Sequence, residues 1–160
     1  MRALIFVILF LPLIGSCGTK TVDPNSIEGK LVTRINTTCS ESSGCIIRLR
    51  DVTDFAWDRV YVFKTTADQS GVEKVIGVPF PQYREFRRSM IFLKGGKLVY
   101  GEANPTDVEQ LINHEVVFDI PDKELYRSYP PESEFEVTRK TFQGGVYYKL
   151  NLIESLPPVN

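Results

Sequence analysis

The spacing of hydrophobic residues predicts one or two short helices. In residues 26–38 an apolar side chain recurs at every fourth position, which is typical of an amphipathic helix. These positions are Ile27, Leu31 and Ile35. Asn25 or Ser26 would cap this helix, and Gly29 inside it weakens the helix by about 1 kcal/mol. A second short helix is expected in the segment that ends near Gly77.

Beyond residue 44 the pattern changes to one that predicts strands, because β-branched and aromatic residues dominate. The strand segments are 45–52, 59–65, 89–102, 114–120 and 134–153. Glycine pairs at Gly95–Gly96 and at Gly144–Gly145 favour hairpin turns. About six or seven strands with local connections predict a single small α+β domain containing an antiparallel sheet. The structure of residues 105–115 is left open by the pattern.

The N-terminus carries an uninterrupted apolar stretch, residues 3–14, which follows Arg2. This stretch is shorter than the 18 or more residues that cross a bilayer, and Pro12 disfavours a spanning helix. It ends in Ile14–Cys17, with the sequence Ile-Gly-Ser-Cys. This tetrapeptide resembles the lipobox of bacterial lipoprotein precursors.

The resemblance implies a cleaved signal peptide at residues 1–16 and a diacylglyceryl group on Cys17. Residues 17–25 would form the lipidated cysteine and a polar tether, and residues 26–160 the domain. The alternatives are an ordinary secretory signal with a coincidental cysteine and an uncleaved membrane anchor. Gly18 resembles the residue found there in lipoproteins sorted to the outer membrane. The implied location is the cell envelope, on the outer membrane facing the periplasm if two membranes are present.

Composition limits the partners of the mature chain. Removing residues 1–16 leaves 144 residues, which suits one domain. Arg2 is the single charged residue removed, so 18 Lys and Arg face 20 Asp and Glu. This near-neutral balance argues against nucleic acid as a partner. Of the 18 aromatic residues, 16 remain after Phe6 and Phe10 are lost, which is enough for one core.

Cys39 and Cys45 remain once Cys17 is lipidated. An exported domain meets an oxidising environment, so a disulfide between them is expected. Closing this seven-residue loop would contribute about 2.4 kcal/mol in the chain-entropy model. A redox or metal-binding pair is the alternative. The spacing is not that of a Cys-x-x-Cys motif, and no further cysteine or histidine cluster accompanies it, so we expect no metal.

The sequence assigns no catalytic residue. His114 is the single histidine, and a catalytic triad would have to use it. No Gly-x-Ser-x-Gly motif and no phosphate-binding glycine loop occur. We therefore expect His114 to be a surface residue, and we expect no enzymatic activity and no cofactor.

Residues 51–64 resemble a motif of small uncharacterised bacterial exported proteins, in which an aromatic residue, Trp and Asp precede a Val-Tyr-Val-Phe strand. The resemblance implies no activity. Trp57 would supply buried area beside the sheet, with its indole N–H seeking a partner, and Asp58 would close a turn. The functional alternative is that Trp57 and Asp58 line a ligand cleft.

Residues 80–90 interleave arginines with aromatic residues. Tyr83, Arg84, Arg87 and Arg88 form a candidate binding surface, because protein interfaces favour this mixture. The same residues could meet acidic lipid headgroups near the anchor. The alternative is a loop whose aromatic side chains cover the core while its arginines are solvated.

The preferred hypothesis is a membrane-anchored bacterial lipoprotein whose domain binds a protein of the envelope without catalysis. An immunity-type lipoprotein that neutralises a periplasmic toxin is the alternative. A small hydrolase is third, and it would need a cleft that gathers His114 with serine or carboxylates. The expected partners are the membrane, through the lipid anchor, and an envelope protein or a toxin.

The lipobox makes a direct prediction about Cys17. The variant Cys17→Ala lacks the thiol that carries the lipid, so the domain should leave the membrane fraction, because anchoring depends on the buried acyl chains. Fractionation followed by immunoblotting measures this. Unchanged membrane association of the variant would contradict the lipoprotein hypothesis.

Overall fold

A computed structural model describes residues 22–39, 44–105, 114–142 and 145–153. The predicted signal peptide, Cys17 and the first part of the tether lie outside the described residues. The described elements are α1 (Ile27–Thr38), β1 (Cys45–Arg48), a 3-10 helix (Leu49–Asp51), β2 (Arg59–Phe63), α2 (Gln69–Ile76), β3 (Arg88–Lys94), β4 (Lys97–Asn104), β5 (Glu115–Phe118), β6 (Tyr126–Tyr129), β7 (Glu134–Phe142) and β8 (Gly145–Leu152).

The strands form two four-stranded sheets. The first sheet has the order β1-β7-β8-β5 and the second has the order β4-β3-β2-β6. All strand pairs are antiparallel except β5 with β8, which run parallel. The α+β class with mostly sheet is thus confirmed, but the strands are divided between two sheets.

Two hydrophobic cores hold these layers together. The larger core joins α1 and both sheets, and Phe92 of the second sheet and Phe135 of the first are fully buried in it. The smaller core lies on the other side of the second sheet, where Val72 and Ile76 of α2 pack against it. Both faces of the second sheet therefore carry a core.

Helix α1 confirms the predicted amphipathic helix. Ser26 is its N-cap, and the Ser26 hydroxyl accepts a hydrogen bond from the Gly29 N–H at 2.9 Å. A Cβ atom at Gly29 would lie 2.1 Å from the carbonyl oxygen of Asp23. The glycine is therefore required, because the chain entering the helix passes directly against it.

Both ends of helix α2 have residues that are typical of helix termini. The Asp68 carboxylate accepts a hydrogen bond from the Gly71 N–H at 2.6 Å, which caps the first turn. Gly77 ends the helix in the left-handed conformation, with a φ of 74°. These contacts are local, so the helix was predictable from its own residues.

The hairpin between β3 and β4 turns at Gly95 and Gly96, whose φ angles are 55° and 72°. Positive φ at both central residues is the requirement of a two-residue primed turn, as the glycine pair predicted. The β7–β8 hairpin is also confirmed and closes with Phe142 opposite Gly145. Gly144, the other half of the second glycine pair, lies outside the described residues.

Cys39 and Cys45 form the expected disulfide, with their Cα atoms 5.3 Å apart. Cys39 caps the C-terminus of α1, and Cys45 begins β1. The bond therefore ties the helix to the edge strand of the first sheet, independently of the side-chain packing between them.

Strand β6 is the element that the sequence pattern missed. Its four residues read Tyr-Arg-Ser-Tyr, and just one of them is buried. It lies at the edge of the second sheet and pairs with β2 alone among the described strands. An edge strand this short does not need the apolar alternation by which strands are recognised. Residues 106–113, within the segment whose structure was left open, lie outside the described residues.

The close approach at Gly29 generates a stability prediction. Gly29→Ala should lower the free energy of unfolding by about 2 kcal/mol, because the added methyl collides with backbone that must move. Urea denaturation followed by circular dichroism measures this.

Gly71→Ala is the matched control, because its Cβ would meet the flexible Asp68 side chain at 3.1 Å. This variant should leave stability unchanged or raise it by up to about 1 kcal/mol through helix propensity. Equal losses in both variants would contradict the steric explanation for Gly29.

Candidate binding cleft between α2 and β6

The residues of the Trp-Asp motif are engaged in the fold. Trp57 is 9% exposed, and its indole N–H donates a hydrogen bond to the Thr53 hydroxyl at 2.9 Å. Its ring packs edge-on against Phe92, with centroids 5.1 Å apart. The Asp58 carboxylate accepts from the Gly95 N–H at 2.6 Å and so closes the β3–β4 turn. Neither side chain lines the cleft described below.

The structure divides the predicted arginine-aromatic surface into a packed part and an exposed part. Tyr83 packs against the smaller core, and its hydroxyl donates to the carbonyl oxygen of Ala67 at 3.2 Å. Arg84 and Arg87 are exposed, and the Arg84 guanidinium donates to the carbonyl of Tyr83 at 2.6 Å. Phe86 between them is 73% exposed. Arg84 and Arg87 remain surface residues, whereas Tyr83 is partly structural.

Arg88 does not belong to the exposed part of that surface, because its side chain is just 15% exposed. Its guanidinium pairs with the carboxylates of Glu28 and Glu115 at 2.9 Å each. It also donates a hydrogen bond to the carbonyl of Val116. A single side chain thus connects α1, β3 and β5.

A third buried carboxylate, that of Glu102, lies next to this ion pair and caps α1. It accepts hydrogen bonds from the backbone N–H groups of Ile27 and Glu28, at 2.8 and 3.1 Å. The Tyr100 hydroxyl and the Asn104 amide hold it at 2.7 and 2.9 Å. An acidic group at a helix N-terminus is stabilised by the helix dipole. Two buried carboxylates therefore pair with the Arg88 guanidinium, and a third lies beside them without contacting it.

Burial perturbs the protonation of Glu28. Burial raises the pKa of the Glu28 carboxyl above its ordinary value, an effect that Arg88 and the Val116 N–H oppose and that nearby Glu102 reinforces. Among the described residues, the Glu28 Oε2 atom and the Arg88 Nε atom have no hydrogen-bond partner. No cluster of three or more metal-ligating side chains is found within the described ranges.

His114 directly precedes β5 and has a left-handed conformation, with a φ of 65°. Its backbone N–H donates to the carbonyl of Val146 at 2.7 Å, and its ring stacks on Tyr148 with centroids 6.0 Å apart. Within the part of the chain that the structure describes, its imidazole makes no hydrogen bond to a serine or a carboxylate. The described geometry therefore lacks the contacts that a triad requires.

A cleft of about 910 Å³ opens between α2 and β6, on the outer side of the second sheet. Its residues come from the end of β2, the segment leading into α2, α2 itself, the β6 region and the end of β8. They are Phe63, Thr66, Ala67, Asp68, Gly71, Lys74, Val75, Lys123, Glu124, Leu125, Tyr126, Arg127, Ser128, Tyr129 and Leu152. The sequence patterns predict none of these as site residues.

Aromatic side chains form one side of the cleft. The Tyr126 ring stacks on Phe63, with centroids 5.2 Å apart. Leu125 and Tyr126 are 54% and 37% exposed. Because soluble domains seldom leave large apolar groups grouped at the surface, this patch is a candidate contact surface.

Two lysines give the cleft positive charge that no described carboxylate neutralises. Glu124 pairs with Arg127 at 3.0 Å, and Asp68 is engaged in capping α2. Lys74 and Lys123 have no carboxylate partner among the described residues. The cleft therefore combines an apolar surface with cationic groups.

Comparisons with known proteins add no relative: no protein-family model, curated protein or solved structure matches the chain. No helix in the described ranges is both long enough and apolar enough to cross a bilayer. The function must therefore be argued from the chain's own residues.

The buried Glu28 generates a prediction about pH. Its raised pKa means that the folded state retains a proton that the unfolded chain releases, so this group's contribution to stability falls as pH rises above about 4.5. Relative to Glu28→Gln, the wild type should lose stability with rising pH, by at most about 1.4 kcal/mol per pH unit. Urea denaturation at pH 4.5, 5.5 and 6.5 measures the difference.

Glu132→Gln is the control, because Glu132 is exposed. The difference in free energy of unfolding between this variant and the wild type should change little between pH 4.5 and 6.5. A difference for Glu28→Gln that is also independent of pH would show that Glu28 has the same protonation in both states.

Proposed function

We propose that this chain is an exported, lipid-anchored protein of the bacterial cell envelope that binds a protein partner in the cleft between α2 and β6. The observation that carries the binding function is the cleft itself, in which exposed Leu125 and Tyr126 lie beside the unpaired lysines. Aromatic residues and arginine are enriched in protein interfaces, and Tyr126 and Arg127 supply both.

Export is supported by the disulfide between Cys39 and Cys45. Stable disulfides are typical of oxidising compartments and rare in the reducing cytosol. The Ile-Gly-Ser-Cys sequence that ends at Cys17 supports attachment to the membrane after export. The two features are independent, since one is a lipobox pattern and the other is a covalent bond within the folded domain.

The anchor would also limit where the partner is met. Residues 23–26 turn against the start of α1, so the chain from Cys17 to Asp23 is the part that could extend, and it would reach roughly 21 Å. The domain would therefore stay close to the membrane surface. A partner would be a protein of the same surface or one that reaches it.

The binding function predicts a position-specific crosslink in living cells. A photoreactive phenylalanine analogue in place of Leu125 should give a discrete adduct with another protein, because that side chain lies in the cleft and is 54% exposed. Irradiation followed by immunoblotting detects the adduct, and mass spectrometry identifies the partner. A toxin in the adduct would specify the immunity role, and an envelope protein the general one.

Ile46 is the matched control, because it is 51% exposed on β1 and does not line the cleft. The same analogue at Ile46 should give no discrete adduct. Equal adducts at both positions, or none at Leu125, would contradict binding at the cleft.

A further inference from the structure

The backbone of β6 presents hydrogen-bonding groups beside the cleft. The Lys64 N–H donates to the carbonyl of Leu125 at 2.9 Å, so these two residues form a hydrogen-bonded pair of the antiparallel ladder. Such pairs alternate along antiparallel strands. The N–H and C=O groups of Tyr126 and Ser128 therefore point away from β2, toward the open edge of the sheet.

We infer that this edge receives an extended, carboxylate-bearing segment of a partner protein as a fifth strand of the second sheet. The inference rests on the proposed function and adds the chemistry of the occupant. Strand addition supplies affinity through main-chain hydrogen bonds and specificity through pockets for alternate side chains. Tyr126 and Ser128 offer four backbone groups for this purpose.

The cleft accommodates the side chains of such a segment. An added strand lies about 4.8 Å from β6, and every second side chain points to the same face as those of Tyr126 and Ser128. That face carries the stacked rings of Tyr126 and Phe63, which suit apolar side chains. The volume of about 910 Å³ is within the range of clefts that enclose ligands.

Charge indicates that the segment is acidic. Lys74 reaches the cleft from α2 and Lys123 from the turn before β6, so cationic groups come from both sides. The acidic residues of the cleft, Asp68 and Glu124, are engaged with the α2 cap and with Arg127. Complementary charge favours a partner with carboxylates and suppresses partners with lysines.

Two other occupants fit the edge less well. In a second copy joined edge to edge, β6 would pair with its own residues Tyr-Arg-Ser-Tyr, which bring no carboxylate to the lysines of the cleft. Residues 154–160, which follow Leu152 and Ile153 in the chain, contain Pro157 and Pro158. Proline cannot donate to a strand ladder, so this segment is a poor fifth strand.

Two capped hexapeptides test the inference, one alternating glutamate with valine and the other lysine with valine. Each carries a fluorophore and is titrated with the intact mature protein in neutral detergent, with fluorescence anisotropy as the measurement. The glutamate peptide should bind at least tenfold more tightly than the lysine peptide, and added salt should weaken it. Equal binding of both, or tighter binding of the lysine peptide, would overturn the acidic assignment.

Ser128→Pro tests the backbone contact, because it removes an N–H that points away from β2. Ser128→Pro should lower the affinity for the glutamate peptide about tenfold, whereas Ser128→Ala should change that affinity less than twofold. If Ser128→Pro fails to fold, methylation of alternate peptide amides replaces it. Methylation of the alternate amides that face β6 should abolish binding, and methylation of the amides that point away should not. Equal binding by the two methylated peptides would overturn strand addition.

Lys123→Glu tests the charge of the cleft. It should lower the affinity for the glutamate peptide at least fivefold and raise the affinity for the lysine peptide. Lys97→Glu is the matched control, because Lys97 is exposed at the β3–β4 turn and does not line the cleft. Equal effects of the two substitutions would overturn the role of Lys123.

The remaining outcomes separate this inference from the proposed function. A Leu125 adduct in cells without preference for the glutamate peptide overturns the extended acidic segment and leaves the binding function standing. Absence of the Leu125 adduct together with absence of a preference for the glutamate peptide would overturn both the proposed function and this inference. A dimer that Ser128→Pro dissociates would assign the edge to a second copy. A tenfold gain in peptide affinity on deleting residues 154–160 would assign it to the chain itself, and either result would overturn the inference.

Discussion

The packing of the two sheets and α1 depends on the guanidinium of Arg88. From the start of β3 it pairs with Glu28 of α1 and Glu115 of β5, so three layers meet at one side chain. Glu102 joins the same region from β4 and caps α1. Loss of one partner from a buried ion pair commonly costs about 3–5 kcal/mol, because the remaining charge is left without compensation. Hydrophobic packing supplies the bulk of the core, whereas this cluster links α1, β3, β4 and β5 through charged and polar contacts.

The cleft exists because α2 packs over the middle of the second sheet and does not extend over β6. Helix α2 has eight residues and packs over the middle of the sheet, where Phe63 and Ile91 contribute to the smaller core. Strand β6 continues the sheet beyond the helix, so its outer face is left to the stacked Tyr126 ring. The short length of β6 and Pro130 directly after it restrict indiscriminate edge pairing, which long bare edges permit.

The candidate site and the arginine-aromatic surface are separate features of the molecule. Residues 80–90 have a composition typical of an interface, yet Tyr83 packs against the smaller core and Arg88 belongs to the ion cluster. The cleft residues are spread over five segments of the chain, and the local mixture of aromatic residues and arginine among them is confined to Tyr126, Arg127 and Tyr129. In the sequence, Tyr126 and Tyr129 followed directly by Pro130 and Pro131 are a local signal of a short edge strand.

The sequence by itself determined the features that arise from neighbouring residues. The capped helices, the Gly95–Gly96 turn and the disulfide between Cys39 and Cys45 each depend on groups within a few positions of one another. Only the tertiary structure decided the division into two sheets, the parallel β5–β8 pair and the cleft. These features depend on contacts between distant residues, such as Arg88 with Glu28 across 60 positions, and local spacing carries no record of such partners.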